Sequence, residues 1–288
     1  MKSTWPRRAL LAVPALAVLA GCMPASWGAG ALLHPYRRHV TRARPAGAED
    51  LEVRNGGVTL RGWRFRHSGP ARGTVIYLHG SADNRTSGIF AAEHYVPRGF
   101  DVIVYDSRAH GESEGDACTY GYYEKQDLQR VIDTASVQPI VVIGVSLGAA
   151  VALQAAAIDP RIATVVGIAT FSDLRTVATE RAPSFASKGE VEAAFRLAES
   201  TARFRVADVS PVASAPAIGV PVLLVHGQED RETPPAHSQR VFAALGEPKR
   251  LLLVPGVGHN DGLSRDVWST IDAWIDRAVR SHVAFAGP

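Results

Sequence analysis

The 288-residue chain is poor in the residues that build disulfide and metal sites. Its two cysteines, Cys22 and Cys118, are too few for a disulfide framework. Neither a His-Glu-x-x-His nor a Cys-x-x-Cys motif occurs, and the histidines outside the motifs discussed below lie at no spacing typical of metal ligands. A phosphate-binding loop and a dinucleotide fingerprint are absent as well. The sequence therefore predicts neither a metal nor a cofactor.

Acidic residues are missing from the first 48 positions, and this uneven distribution accounts for the net charge of +3. The chain has 31 basic and 28 acidic side chains. Lys2, Arg7 and Arg8 lie in the first 21 residues, so the rest of the chain is nearly neutral. A neutral domain offers no electrostatic attraction for a phosphate backbone, and we expect no nucleic-acid partner.

The first 21 residues have the order of a signal peptide, with a basic start followed by an apolar stretch over 9–20. This stretch is short for a transmembrane helix. Leu19-Ala20-Gly21-Cys22 resembles the bacterial lipoprotein box, and the resemblance implies cleavage before Cys22 and lipidation of its sulfur. We therefore expect an exported protein that a lipid anchors in the cell envelope. A plain secretory signal and an uncleaved anchor are the alternatives.

Residues 22–48 are predicted to form a flexible tether that begins at the lipidated cysteine. They are rich in proline, glycine, alanine and arginine and show no aliphatic periodicity. Met23 is not the aspartate of an inner-membrane retention signal, which favours the outer membrane in a cell with two membranes. The basic side chains of the tether either attract anionic lipid headgroups or only keep a linker soluble; they are Arg37, Arg38, Arg42 and Arg44.

The folded domain is predicted to span 49–288, with strands and helices in alternation. Apolar and polar residues alternate on both sides of Asn55-Gly56, a hairpin signal. Continuously apolar strands separated by helices predict an α/β fold, a mostly parallel sheet covered by helices on both faces. The later strands are predicted at 74–78, 101–105, 140–145, 162–168, 222–225 and 250–254. The helices are predicted at 87–96, 120–135, 147–157, 235–245 and 264–280.

A long connection separates the predicted strands 162–168 and 222–225. Such a length is unusual for a single αβ crossover and predicts a small helical cap, inserted at about 171–215. An apolar stripe at helical spacing runs through this insertion. It serves either ordinary packing or the roof of an acyl-binding pocket, and its residues are Val191, Ala194, Phe195, Ala198 and Ala202.

The segment Gly144-Val145-Ser146-Leu147-Gly148 lies between an apolar strand and an alanine-rich helix. In this context, a G-x-S-x-G pattern predicts a sharp turn that lifts the serine hydroxyl clear of the sheet. Bulkier residues in place of the two glycines would close the turn. The alternative is an ordinary glycine-rich turn between a strand and a helix.

Ser146, Asp230 and His259 follow three predicted strands, in this order along the chain. In a parallel sheet, the carboxyl ends of the strands meet at one edge, where ligands bind. Other segments near strand ends match a known pattern: Leu78-His79-Gly80, the stretch 106–113, His226 to Asp230 and Gly258 to Asp261. Together they resemble the α/β-hydrolase family from about Val53 to the C-terminal helix, and in particular compact bacterial serine hydrolases that include esterases and peptidase-like members.

Nucleophilic catalysis assigns a role to each of the three residues. A serine hydroxyl is a poor nucleophile at neutral pH, so a histidine must accept its proton, and His259 is the candidate. A carboxylate must hold the imidazole and stabilise its charged form. Asp230 is the first choice, Glu229 is one residue away from the resembling pattern, and Asp173 is the main rival because some similar hydrolases place the acid there.

An oxyanion hole requires two N–H donors. The N–H of Leu147 is one candidate, and the resemblance implies that of Ser81 as the second. His79 is interpreted as a residue that orders its loop. Asp106 and Arg108 are expected to pair in a structural loop, and Cys118 is expected to be a packed thiol.

The resemblance implies an exported serine hydrolase that cleaves acyl esters of a small molecule through an acyl-enzyme on Ser146. Thioesters and amides are the alternative substrates, since the same groups cleave them. A non-catalytic envelope lipoprotein that uses the fold as a binding scaffold is the alternative from another class.

Overall fold

The structure, a computed structural model, describes residues 24–286, with side chains described as far as residue 282. The predicted signal peptide and Cys22 lie outside the described residues. Among the helices of the described part, none is long and apolar enough to cross a membrane.

An eight-stranded sheet forms the centre of the molecule, in the order β1-β2-β4-β3-β5-β6-β7-β8. The first two strands form an antiparallel hairpin, and β2 pairs antiparallel with β4. All the other pairs are parallel. The strands are β1 Ala48–Asn55, β2 Val58–Phe65, β3 Thr74–Leu78, β4 Asp101–Tyr105, β5 Ile140–Val145, β6 Ile162–Ile168, β7 Val222–Gly227 and β8 Lys249–Val254.

Helices cover both faces of this sheet and form a layer above its carboxyl edge. In chain order they are α1 Ala25–Leu33, α2 Ile89–Tyr95, α3 Glu124–Asp133, α4 Leu147–Ala156, α5 Leu174–Glu180, α6 Lys188–Ala202, α7 Pro211–Ser214, α8 Ala236–Ala244 and α9 Arg265–Ala286. Short 3₁₀ turns lie at Arg85–Gly88, Val96–Arg98, Val206–Asp208 and Ala215–Ala217.

The central strands are apolar throughout because both faces of the sheet are buried. In β3, for example, Ile76 and Leu78 pack into the cluster on the side of α3, α4 and α8. Val75 and Tyr77 pack into the opposite cluster, on the side of α2 and α9. The predicted fold class, a mostly parallel sheet covered on both faces, is confirmed.

Helix α3 begins later than predicted, at Glu124 instead of residue 120. The carboxylate of Glu124 accepts hydrogen bonds from the N–H groups of Thr119 and Gly121, both at 2.7 Å. Tyr120 has a φ of +57°, which no helical residue adopts. A local side-chain-to-backbone network therefore replaces the first turn that the apolar pattern predicted.

Residues 25–33 form helix α1, so the predicted tether is wrong for this part of the chain. The helix packs against α6 and buries Ala29 and Leu33. The N–H of Cys118 donates to the carbonyl oxygen of Leu33 (2.8 Å), and the hydroxyl of Tyr120 donates to that of Leu32 (3.0 Å). Only the side chains of Ala29 and Leu33 in this helix, one turn apart, are buried, so the segment shows no longer aliphatic stripe.

Three helices, α5, α6 and α7, lie between β6 and β7, within the insertion that the sequence predicted. Helix α6 begins with a capping box, in which the side chains of Ser187 and Glu190 satisfy each other's backbone N–H groups. Its predicted apolar stripe faces inward and packs with α1 and α5.

Candidate active site

Ser146 lies in a strained turn between β5 and α4, with φ of +51° and ψ of −110°. The turn is tight on both sides of the serine. A side chain at Gly144 would collide with the carbonyl oxygen of Gly148, and one at Gly148 would collide with that of Leu78. This geometry turns the serine out of the strand, as the G-x-S-x-G pattern predicted.

The structure brings His259 to Ser146 from the loop after β8, 113 residues away along the chain. The hydroxyl of Ser146 lies 3.0 Å from Nε2 of His259, and Nδ1 of the same ring lies 2.6 Å from Oδ2 of Asp230. These contacts make a continuous line from a hydroxyl through an imidazole to a carboxylate. The loop of His259 is itself held by Asp261, which accepts a hydrogen bond from the N–H of Gly258 at 2.7 Å.

The carboxylate of Asp230 is completely buried and held by several donors. Its Oδ1 accepts hydrogen bonds from the N–H groups of Glu232 (3.0 Å) and Thr233 (2.8 Å). Burial alone would raise the pKa of Asp230, but hydrogen bonds from His226, His259 and Thr233 and the attraction of His259 together hold it well below its usual range. Asp230 is therefore an anion at neutral pH.

The two rival acids lie elsewhere. Glu229 has an exposed side chain. Asp173 is the N-cap of α5, where its carboxylate accepts hydrogen bonds from the N–H of Thr176 (2.8 Å) and the hydroxyl of Ser172 (2.9 Å). The partner of His259 in the structure is Asp230.

The two residues whose N–H groups were predicted for the oxyanion hole belong to segments next to Ser146. Leu147 is the first residue of α4, where an N–H has no partner within the helix. Ser81 follows Gly80, and a Cβ at Gly80 would lie 3.6 Å from Cβ of Ser146. The loop of Ser81 is therefore in contact with the serine turn.

His79 is buried and orders its loop, as predicted. Its Nδ1 lies 2.7 Å from the carbonyl oxygen of Gly80, and the N–H of Ser107 donates to Nε2 at 3.0 Å. Burial, the largest effect, lowers the pKa of His79, so the ring is neutral. A neutral ring that donates at Nδ1 and accepts at Nε2 satisfies both contacts.

The predicted pairing of Asp106 with Arg108 is wrong. Asp106 accepts hydrogen bonds from the guanidinium and the N–H of Arg85, at 2.7 and 2.6 Å. Arg108 instead binds Asp127 on α3 through two contacts of 2.6 and 2.7 Å. Both pairs are nearly buried, and in each pair the two charges neutralise each other. The partners come from segments that are distant along the chain.

His226 is a residue of the site to which sequence reasoning gave no role. Its Nε2 lies 2.7 Å from the carbonyl oxygen of Thr233 and 3.1 Å from Oδ2 of Asp230, and its Nδ1 accepts from the hydroxyl of Ser238 at 2.6 Å. Its position four residues before Asp230, at the end of β7, was the only signal in the sequence.

A second serine–histidine pair, also missed, joins the cap to α8. Oγ of Ser172 lies 2.9 Å from Nδ1 of His237, whose Nε2 lies 2.8 Å from the carboxylate of Glu180. Ser172 and His237 are fully buried, so no substrate reaches them. Cys118 is likewise a buried free thiol, as predicted, and burial raises its pKa.

Comparison with known proteins agrees with this architecture. The family model described as alpha/beta hydrolase fold matches residues 73–205. The uncharacterized protein YfhR of Escherichia coli K12 is 30% identical over 234 residues, which cover 76% of each chain. The uncharacterized protein Rv2307c of Mycobacterium tuberculosis H37Rv is 32% identical over 228 residues, 75% of this chain and 74% of that protein. The chain belongs to the alpha/beta hydrolase fold family.

A solved structure shows the same fold. An esterase of Pyrococcus furiosus, Pf2001, superimposes with a TM-score of 0.68 over 85% of this chain and 98% of its own, at 21% sequence identity. At this identity, the likeness describes the fold of the hydrolase domain.

Proposed function

We propose that the protein is a serine hydrolase that cleaves acyl esters through an acyl-enzyme on Ser146. The observation that carries the proposal is the line of contacts from Oγ of Ser146 to Nε2 of His259 (3.0 Å) and from Nδ1 of His259 to Asp230 (2.6 Å). The serine stands in a turn with a φ of +51°, at the edge of the sheet where ligands bind.

In the acylation half, Oγ of Ser146 attacks the ester carbon while its proton passes to Nε2 of His259. The anionic Asp230 stabilises the imidazolium that forms and keeps Nδ1 protonated. The N–H groups of Leu147 and Ser81 donate hydrogen bonds to the former carbonyl oxygen, which now carries the negative charge. When the intermediate collapses, the bond to the alcohol oxygen breaks, and the alcohol leaves with the proton from Nε2.

In the deacylation half, a water molecule transfers a proton to Nε2 of His259 as its oxygen attacks the acyl carbon. Collapse of this second intermediate releases the carboxylic acid and returns the proton to Oγ of Ser146. Thioesters and amides would pass through the same steps with a thiol or an amine as the leaving group. Their turnover relative to matched esters therefore decides between the subclasses.

A fluorophosphonate probe tests the activated serine directly. We expect it to label wild-type protein and to leave Ser146→Ala and His259→Ala unlabelled. Turnover of a p-nitrophenyl ester is expected to fall on the order of a million-fold in Ser146→Ala. Ser172→Ala is the matched control, because it removes a hydroxyl that also contacts a histidine but is fully buried.

Hydrolysis that persists in Ser146→Ala would refute the proposal. A folded wild-type protein that neither reacts with the probe nor turns over any ester, thioester or amide would favour the scaffold alternative.

We also propose that the protein is exported and anchored to the cell envelope by lipid on Cys22, as the Leu19-Ala20-Gly21-Cys22 box indicates. Cys22→Ala should move the protein from the membrane fraction to the soluble fraction, while Cys118→Ala should leave it in the membrane. Metabolic labelling with a fatty acid should be lost in the same variant. Membrane association that survives Cys22→Ala would point to the uncleaved anchor instead.

A further inference from the structure

A cavity of about 460 Å³ lies between helix α1 and the cap, and it begins beside the proposed oxyanion loop. Ser81 and Ala82 are among its lining residues, and Ser81 follows Gly80, which contacts Ser146. Helices α5 and α6 supply one wall through residues such as Val177, Ala178 and Ala194. The cavity therefore borders the loop that contacts Ser146.

The opposite wall is the N-terminal segment, which the sequence predicted to be a tether. Its lining residues are Trp27, Gly28, Ala31, Leu32, Pro35 and Tyr36. Another face of α1 buries Ala29 and Leu33, so the helix is fixed in place while it lines the cavity. Arg37 continues this attachment, because its guanidinium donates to the carbonyl oxygens of Ala109 (3.2 Å) and Gly115 (2.8 Å).

The mouth of the cavity is aromatic. Trp27 and Tyr36 line the cavity and are also 52% and 76% exposed. Side chains that border a cavity and face solvent mark where it opens.

The lining is suited to hydrocarbon. Among the described residues that line the cavity, Arg181 alone carries a charge, and its guanidinium is directed to the carbonyl oxygen of Glu232 (3.0 Å) and the hydroxyl of Thr233 (2.6 Å). Pockets that enclose small ligands have volumes of about 300–1,000 Å³, so a cavity of about 460 Å³ has room for an acyl chain of medium length.

We propose that α1 and the segment through Tyr36 form a wall of the acyl-binding pocket and set the chain length that the enzyme accepts, so that its substrates are esters of medium-chain fatty acids. This inference rests on the proposed esterase function and names the substrate class of the same site. The small side chains of α1 at Gly28 and Ala31 leave the space that the acyl chain fills.

The test narrows the pocket from α1 alone. Ala31→Trp places a large ring in the cavity from an exposed position, while Ser26→Trp places the same ring on a part of the helix that does not line it. We expect Ala31→Trp to lower the ratio of kcat/KM for p-nitrophenyl dodecanoate to kcat/KM for p-nitrophenyl acetate at least about tenfold. Ser26→Trp should leave both values within about twofold of wild type.

A chain-length profile that Ala31→Trp leaves unchanged would overturn the inference, even with a fully active enzyme. The profile of Ala31→Trp is compared with that of wild type only if the midpoint of its thermal unfolding stays near the wild-type value. If it does not, Ala31→Leu narrows the same cavity from α1 by a smaller amount and should shift the preference in the same direction. Absence of all ester turnover and of fluorophosphonate labelling in wild type is a different result, which refutes the proposed function itself.

Discussion

At the residue scale, Asp230 is held by two histidines. Its Oδ2 contacts Nδ1 of His259 at 2.6 Å and Nε2 of His226 at 3.1 Å, while its Oδ1 accepts two backbone N–H groups. These contacts fix the carboxylate in one orientation, so it can fix the orientation of His259 in turn. The sequence favoured Asp230 over Glu229 by its place in the resembling pattern, and the structure gives the contacts of Asp230 with His259 and leaves Glu229 exposed.

Asp106 illustrates a charge that serves the fold. Because its carboxylate is fully buried against Arg85, Asp106→Asn would remove the buried partner of that guanidinium and leave it only the half-exposed Glu112. Loss of one member of a buried pair costs about 3–5 kcal/mol. We expect the free energy of unfolding to fall by that amount, while kcat/KM of the folded protein changes less than about tenfold. Urea unfolding and ester hydrolysis measure the two quantities.

Asp133→Asn is the matched control for this prediction. Asp133 also pairs with arginines, Arg130 and Arg161, but its side chain is largely exposed. Exposed ion pairs contribute about 1 kcal/mol or less, so the control should lose little stability. An Asp106→Asn protein of wild-type stability with no turnover would show that the residue acts in the chemistry.

At the scale of elements, the buried strands were the most predictable. The predicted bounds of β3, β4, β5 and β6 agree with the structure, because a strand buried on both faces needs an unbroken apolar run. The hairpin was predicted one residue early: Asn55 pairs with Val58, and Gly56 and Gly57 form the turn. Glycine at both turn positions tolerates the positive φ of +55° at Gly56.

Helix α1 could not be predicted, because its sequence has no long apolar pattern. A short helix in water has little stability of its own, and most of its stability comes from the surface against which it packs. Ala29 and Leu33, four residues apart, are its buried pair, too small a pattern to distinguish from chance in a segment rich in alanine and glycine. A catalytic domain expressed from residue 49 onward would lack this helix and, with it, one wall of the cavity.

At the scale of the whole molecule, buried histidines make stability depend on pH. Burial is the first cause that lowers the pKa of His79, His110 and His237, that of His110 to about 4. These rings are neutral in the folded protein but bind protons in the unfolded chain below about pH 6.5. The unfolded state then holds more protons, so the free energy of unfolding falls as the pH falls from about 6.5 to about 4. Each histidine contributes at most about 1.4 kcal/mol per pH unit.

Urea unfolding at pH 7 and pH 5 checks this prediction. Wild type should lose stability between the two values, and His110→Asn should lose less of it, because one of the depressed groups is gone. Carboxylates with lowered pKa, such as Asp159 and Asp230, lose their contribution only below about pH 4. An equal loss in both proteins would show that His110 does not contribute to the slope.

The sequence by itself determined what depends on neighbours along the chain: the strands, the glycine-bounded serine turn, and the order of Ser146, Asp230 and His259. Only the tertiary structure decided which distant groups meet. It joined Leu32 to Tyr120 across 88 positions, paired Asp106 with Arg85, and made α1 a wall of the cavity that Ser81 also lines. The physical reason is that local patterns report burial and turns, whereas partners and cavities depend on how separate segments pack against one another.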